Sequence, residues 1–196
     1  MAATGKYAKG VAKRNEILHT ALEVFSREGY RGTSLREVAE AVNLSQAGLL
    51  HYFDSKEELF AEILRVRDES DDDVFASSGP ASDALMAIMR HNAAVPGLVQ
   101  LYATISAEAA EPAHPAHEFF VRRYDVLRAK FVESIGNQQA SGTLDPTLDP
   151  AALASIMLAV ADGMQVQWLI DPSIDMAANI EYLWSLIEKL GVEATR

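Results

Sequence analysis

The sequence predicts an all-α protein, and three observations carry that prediction. Apolar residues recur at helical spacing in segment after segment, no alternating strand pattern appears, and the breaks fall at capping residues, Pro and Gly. The chain has 196 residues, 49% of them apolar, enough for a small domain and a larger one. It has no Cys, which excludes disulfides and thiolate metal sites. The N-terminus, MAATGKYAKGVAKR, lacks the apolar run of a secretory signal, and no window approaches the roughly 18 uninterrupted apolar residues of a membrane span. The expectation is a cytoplasmic protein without a membrane partner.

About nine helices are expected. In the first, Ile17, Leu18, Ala21, Leu22 and Phe25 share one face, and Glu28-Gly29 is the expected stop. Ser34-x-x-Glu37 is a capping-box pattern that opens the second, whose buried stripe is Val38, Ala39 and Val42. Asn43 stands at the turn, as one of the few non-glycine residues that tolerate a left-handed conformation. Ser45 caps a short third helix, Gln46 to Phe53, and Ser55-x-x-Glu58 opens the fourth, with Leu59, Phe60, Ile63 and Leu64 in phase. The run Asp68-Glu69-Ser70-Asp71-Asp72-Asp73 and Ser77-Ser78-Gly79-Pro80 are expected to divide head from body. Five helices follow. They lie near 81–94; near 96–110, opened by Pro96; after Glu111-Pro112-Ala113-His114-Pro115, with Phe120, Tyr124, Leu127, Phe131 and Ile135 in phase; from Asp149-Pro150 to about Ile170; and from beyond Asp171-Pro172 to about Leu190. Gly136 to Pro150 reads as a loop.

Two short helices joined by a tight turn form a helix-turn-helix, whose second helix is the right size for a DNA major groove. Over residues 13–60 the three segments KRNEILHTALEVFSREGY, GTSLREVAEAVNLS and GLLHYFDSKEELF resemble, in order and spacing, the DNA-binding domain of the tetracycline-repressor (TetR) family of transcriptional regulators. Two positions depart from the commonest pattern: Asn43 stands where Gly is usual, and Gly48-Leu49-Leu50 stands where Thr or Ser followed by Leu-Tyr is common. The resemblance implies a basic flexible arm over 1–12, a DNA-binding domain over 13–59 and a ligand-binding and dimerisation body over 60–196.

Net charge is −11. Residues 1–53 hold seven Lys/Arg against five Asp/Glu, net +2, and residues 54–196 hold ten against twenty-three, net −13. Phosphate contact needs only local positive charge. Lys6, Lys9, Lys13 and Arg14 cluster at the start of the chain, suited to an arm on the DNA backbone or minor groove. Ser45, Gln46, Ala47 and Gly48 are expected to face base edges, with Gln46 able to pair with adenine at two points. His51, Tyr52 and Lys56 are assigned to phosphates, and Thr33 and Ser34 complete the expected contact set.

In the body, the resemblance implies a cavity for a small, largely apolar effector. His91, Tyr102, Phe120, Tyr124, Met164, Gln165 and Trp168 are its candidate walls, and Asp162 favours a cationic group if it points inward. The last two helices carry broad stripes, and the resemblance implies that they pair with the same two of a second subunit. Met157, Val160, Ile180, Leu183, Trp184 and Ile187 are the expected dimer contacts, with Trp184 as anchor.

His114-x-x-His117, with Glu111 and Glu118 nearby, lacks a third ligand fixed by spacing and reads as a polar helix entry, so no metal is expected. No glycine-rich phosphate loop or nucleotide fingerprint is visible, and Ser106, His91 and Asp162 share no spacing that makes a triad. Neither enzyme nor cofactor is expected. The reading is a homodimeric repressor released from a palindromic double-stranded operator by its effector. The alternative is a helical protein–protein interaction module that keeps the head shape without operator binding.

Overall fold

The computed structural model describes residues 2–193. Among them are nine helices and no strand: α1 Ala2–Gly32, α2 Leu35–Ala41, α3 Gln46–Leu49, α4 Lys56–Ser77, α5 Ala81–Ala93, α6 Pro96–Glu108, α7 His117–Ala140, α8 Pro150–Ile170 and α9 Met176–Glu193. Contacts divide the chain into two compact units. The first holds the residues up to Ser70 together with Val95–Phe119; the second holds Asp71–Ala94 and everything from Phe120 onward.

Outside α3, four expected boundaries move. α1 begins at Ala2, so the segment expected as a flexible arm is helical from there, and the side chains of Lys6 and Lys9 lie outside the described residues. It also continues past Glu28-Gly29 to Gly32. α4 runs through the acidic run instead of ending in it. Arg65 ion-pairs with Glu62 and Glu69 on the same helix, and the Ser77 hydroxyl donates back to the Asp73 carbonyl at the end, so like-charge repulsion is offset locally. α7 passes through Gly136 and stops at Ala140, because the left-handed residue that ends it is Gly142, at φ 77°. There the Thr143 and Leu144 N–H groups both donate to the Gln138 carbonyl.

In the first unit α1 packs along α6 and against α2, and α2 packs on α3. Ile17, Leu18, Ala21 and Phe25 of α1 are wholly buried, as are Leu59 and Ile63 of α4. Phe25 meets Phe60 edge to face at 5.2 Å between ring centroids.

In the second unit α5 and α8 both pack on α9. The Asp149 carboxylate accepts the Ala151 N–H at 2.9 Å and caps α8, with Pro150 in the first turn. α8 is long and apolar enough to cross a membrane by length and composition. Its apolarity has another use here, since Leu153, Ala154, Met157, Leu158, Ala161 and Trp168 fill the unit's core. In α9, Ile180, Trp184 and Ile187 do the same.

Trp184 is 5% exposed within a single chain. Trp184→Ala is therefore expected to cost about 3–5 kcal/mol of stability by cavity formation, read in urea denaturation. A loss under about 1 kcal/mol, the size of a typical point mutation, would contradict the packing.

Candidate nucleic-acid interface

The interface is built from α2 outward. Ser34 closes the expected capping box: its Oγ accepts the Glu37 N–H at 3.2 Å, and its own N–H donates to Glu37 Oε2 at 2.6 Å. The Ser34 N–H, then the Ser34 side chain, hold the Glu37 carboxyl below its ordinary range. Asn43 takes φ 57°, the left-handed turn its chemistry permits, and the Leu44 N–H then returns to the Ala39 carbonyl at 2.8 Å. Ser45 Oγ accepts the Gly48 N–H at 3.0 Å and so caps α3. A Cβ on residue 48 would stand 3.2 Å from that Oγ, so glycine there protects the cap.

α3 is shorter than expected. It ends at Leu49 rather than Phe53, because Leu50 caps it and the Tyr52 N–H turns to the Leu49 carbonyl at 3.0 Å. Leu49 and Phe53 are both buried, and the chain bends to place them there. What remains outward is Ser45, Gln46, Ala47 and His51, all exposed, with Gly48 and Tyr52 half-buried. The His51 and Tyr52 rings meet edge to face at 6.0 Å, and Lys56 is exposed beside its ion pair with Glu57.

Three expected contacts change. Thr33 is buried, with a hydroxyl that has no hydrogen-bond partner, because it sits at the joint between α1 and the capping box. Lys13 and Arg14 face inward: the Lys13 ammonium donates to the Val42 carbonyl at 2.9 Å, and Arg14 reaches Glu62 at 2.8 Å and Glu58 at 3.2 Å. Leu50, outside the expected contact set, is 37% exposed and lies one helical turn from Gln46; its sequence signal is an apolar residue at that spacing from a base-reading candidate.

The second unit gathers part of the expected ligand set. Phe120 is buried 6.4 Å from the Tyr124 ring, and the Tyr124 hydroxyl donates to Asp162 at 2.6 Å. Met164 is half-buried, Trp168 is buried, and the buried Gln165 accepts from Asn92 Nδ2 at 3.3 Å. His91 is exposed on α5, since that helix turns its apolar face to α9. Tyr102 belongs to the first unit, buried with the Arg67 guanidinium 5.7 Å over its ring. A groove of about 550 Å³ opens in the second unit among Phe75, Pro80, Lys130, Ser134, Asn137 and Gln138, away from every expected ligand residue.

The expected dimer set also shifts. Met157, Ile180, Trp184 and Ile187 are buried in the chain's own core, while Val160 and Leu183 are half-buried. The large apolar residues left exposed on the same helices are Ile156, Val166, Ile170, Tyr182 and Leu186, with Ile170 at 81% and Tyr182 at 65%. Both helices are apolar on two faces, and most of the expected set lies on the inner one. His114 and His117 serve the entry to α7: His114 Nδ1 accepts the Ala116 N–H at 3.1 Å, and His117 Nδ1 lies 2.8 Å from the Ala109 carbonyl.

A capped, four-residue helix held outward beside a left-handed turn defines a helix-turn-helix head. The family described as "Bacterial regulatory proteins, tetR family" matches residues 17–63. The transcriptional regulator RutR of Escherichia coli K12 is 46% identical over 63 residues, 32% of this chain and 30% of RutR, so the chain matches under a third of that relative's length. YfiR of Bacillus subtilis 168, an uncharacterised regulator, is 28% identical over 162 residues, 78% of each chain. Among solved structures, NalD of Pseudomonas aeruginosa, a secondary repressor of the MexAB-OprM efflux pump, superposes at TM-score 0.64 over 93% of this chain and 96% of its own, at 20% identity. Residues 17–63 are similar to the DNA-binding domain of the TetR family of transcriptional regulators, and the whole chain shares its all-helical fold with solved members. The relatives are regulators, not enzymes.

Glu62 reports on the integrity of the head. Burial alone pushes its carboxyl up, but hydrogen bonds and charge from Arg14 and Arg65 outweigh it and hold the group below its ordinary value of 4.5. A carboxylate depressed on folding contributes stability that is complete above its unfolded value and lost as pH falls through its folded one. The stability difference between the native chain and Glu62→Gln should therefore be constant at neutral pH and shrink below 4.5. A difference independent of pH down to the acid transition would contradict the Arg14–Glu62–Arg65 arrangement.

Proposed function

We propose that the chain is a cytoplasmic, homodimeric DNA-binding repressor, released from a palindromic operator by a small effector. The observation that carries this reading is the outward face of α3. Ser45, Gln46, Ala47, Leu50 and His51 stand exposed and free of fixed charge, on a helix whose other side is anchored by Leu49. Gln46 offers an amide to adenine in the major groove, and Leu50 an apolar surface to a thymine methyl. His51, Tyr52 and Lys56 take the flanking phosphates, with Ser34 at the edge.

The exposed stripe of Ile156, Ile170, Tyr182 and Leu186 is the proposed two-fold seam. A two-fold axis presents two recognition helices to successive turns of one DNA face, about 34 Å apart. In this reading the effector enters beside the half-buried Tyr124 and Met164, rather than in the groove at Phe75 and Lys130, and a group able to donate a hydrogen bond or carry positive charge replaces the Tyr124 hydroxyl at Asp162. Release requires that the effector favour the conformation that does not bind the operator; a hundredfold release corresponds to about 2.7 kcal/mol of such preference.

In DNA titrations at fixed salt, Tyr52→Ala and Lys56→Ala are expected to weaken binding to all sequences alike. Gln46→Ala should instead relax preference at one base position, by about 1–3 kcal/mol of discrimination. Unchanged affinity in both Tyr52→Ala and Lys56→Ala refutes this docking and leaves the interaction module as the reading. Ile170→Glu should run as a monomer in light scattering, and a dimeric Ile170→Glu removes α8 from the seam.

A further inference from the structure

The sequence places Lys13 and Arg14 in a basic cluster suited to DNA phosphates, yet both side chains are committed within the head. The Lys13 ammonium donates to the carbonyl of Val42, which closes α2 immediately before the Asn43 turn. The Arg14 guanidinium lies 4.7 Å over the ring of Phe53, the buried residue that closes the segment after α3. Its nitrogens reach Glu58 and Glu62 of α4. Glu58 is itself tied to the same corner: its carboxylate accepts the Asp54 N–H, and its N–H donates to Ser55 Oγ at 3.0 Å.

We propose that Lys13 and Arg14 are positioning residues that pin the entry and the exit of the α3 segment to α1, and are not phosphate contacts. Adjacent residues on a helix point about 100° apart, so one turn of α1 can reach both ends of the segment. The charges are spoken for: Lys13 also pairs with Glu16 at 2.7 Å, and two carboxylates face Arg14. Their side chains retain 26% and 30% of their accessibility, against 57% for Lys56, whose exposure does suit a phosphate. A helix of four residues cannot hold its own orientation, because nucleation costs more than so few hydrogen bonds return. Its direction is set by what grips its two ends. Lys13 and Arg14 therefore govern whether Gln46 and Leu50 meet the groove in register, while adding nothing to the count of neutralised phosphates. This role rests on the DNA-binding reading for its consequence, but the clamp itself is a property of the free chain.

The experiment uses the full chain with Arg14→Gln, Arg14→Lys and Lys13→Met. Without DNA, amide hydrogen exchange at residues 43–53 should accelerate in Arg14→Gln and Lys13→Met by about tenfold or more, while the amides around Leu18 and Phe25 keep their protection. Arg14→Lys, which keeps the charge but not the planar fork, should fall between. With duplex DNA carrying the selected operator, affinity should fall about tenfold in Arg14→Gln, with the slope of log affinity against log salt unchanged. A phosphate contact predicts instead a slope reduced by about one, and equal loss on random DNA; that result overturns the proposal. Unchanged exchange at 43–53 overturns it as well. Should Arg14→Gln fail to fold, Arg14→Lys and Lys13→Met supply both readouts. If the native chain shows no sequence preference in DNA binding, the proposed function fails, and the exchange data alone decide the clamp.

Discussion

The burial of Leu49 and Phe53 constrains everything that the head presents. Both side chains are sealed in the core of the first unit, and together they fix which way α3 can turn. With Leu49 inward, Gln46 and Ala47 point outward, and Leu50 follows on the exposed side. The same burial ends α3 early, since the chain must bend after Leu49 to bring Phe53 back under Arg14. The left-handed Asn43 and the Ser45 cap make the geometry affordable on the entry side. The short helix is thus a product of tertiary packing more than of its own propensity, which is modest in a segment containing Gly48.

The sequence was most legible where the chemistry is local. The Ser34–Glu37 box, the Ser45 and Asp149 caps and the turn at Asn43 each need only residues within three or four positions, and the structure contains all of them. It was least legible where two equivalent choices compete. α8 and α9 each carry an inner and an outer apolar stripe, and periodicity alone does not say that Met157 and Trp184 face the core while Ile156 and Tyr182 face out. The continuity of α4 through its acidic run depends on where the carboxylates find partners, Arg65 with Glu62 and Glu69 among them. The fate of Lys13 and Arg14 depends on Val42, Glu58 and Glu62, residues distant in sequence that only the fold brings near. The exposure of His91 has the same cause: nothing local says which side of α5 meets α9.

The charge distribution gains meaning from these pairings. In the proposed function, a chain of net charge −11 approaches DNA against its own field, and two of the cations in its basic stretch are already balanced by carboxylates. Binding that depended on bulk attraction would be weak. Binding that depends on a shaped, uncharged helix face and a few placed donors is compatible with that balance, and it shifts the burden from affinity toward selectivity.

The measurement that tests this account most directly is selection of bound duplexes from a random DNA pool by the native chain. The account predicts enrichment of a two-fold-symmetric motif whose half-sites are centred about 34 Å, one helical turn, apart or a multiple of it. Recovery of no enriched motif, or of an asymmetric one occupied by a single chain, would contradict it.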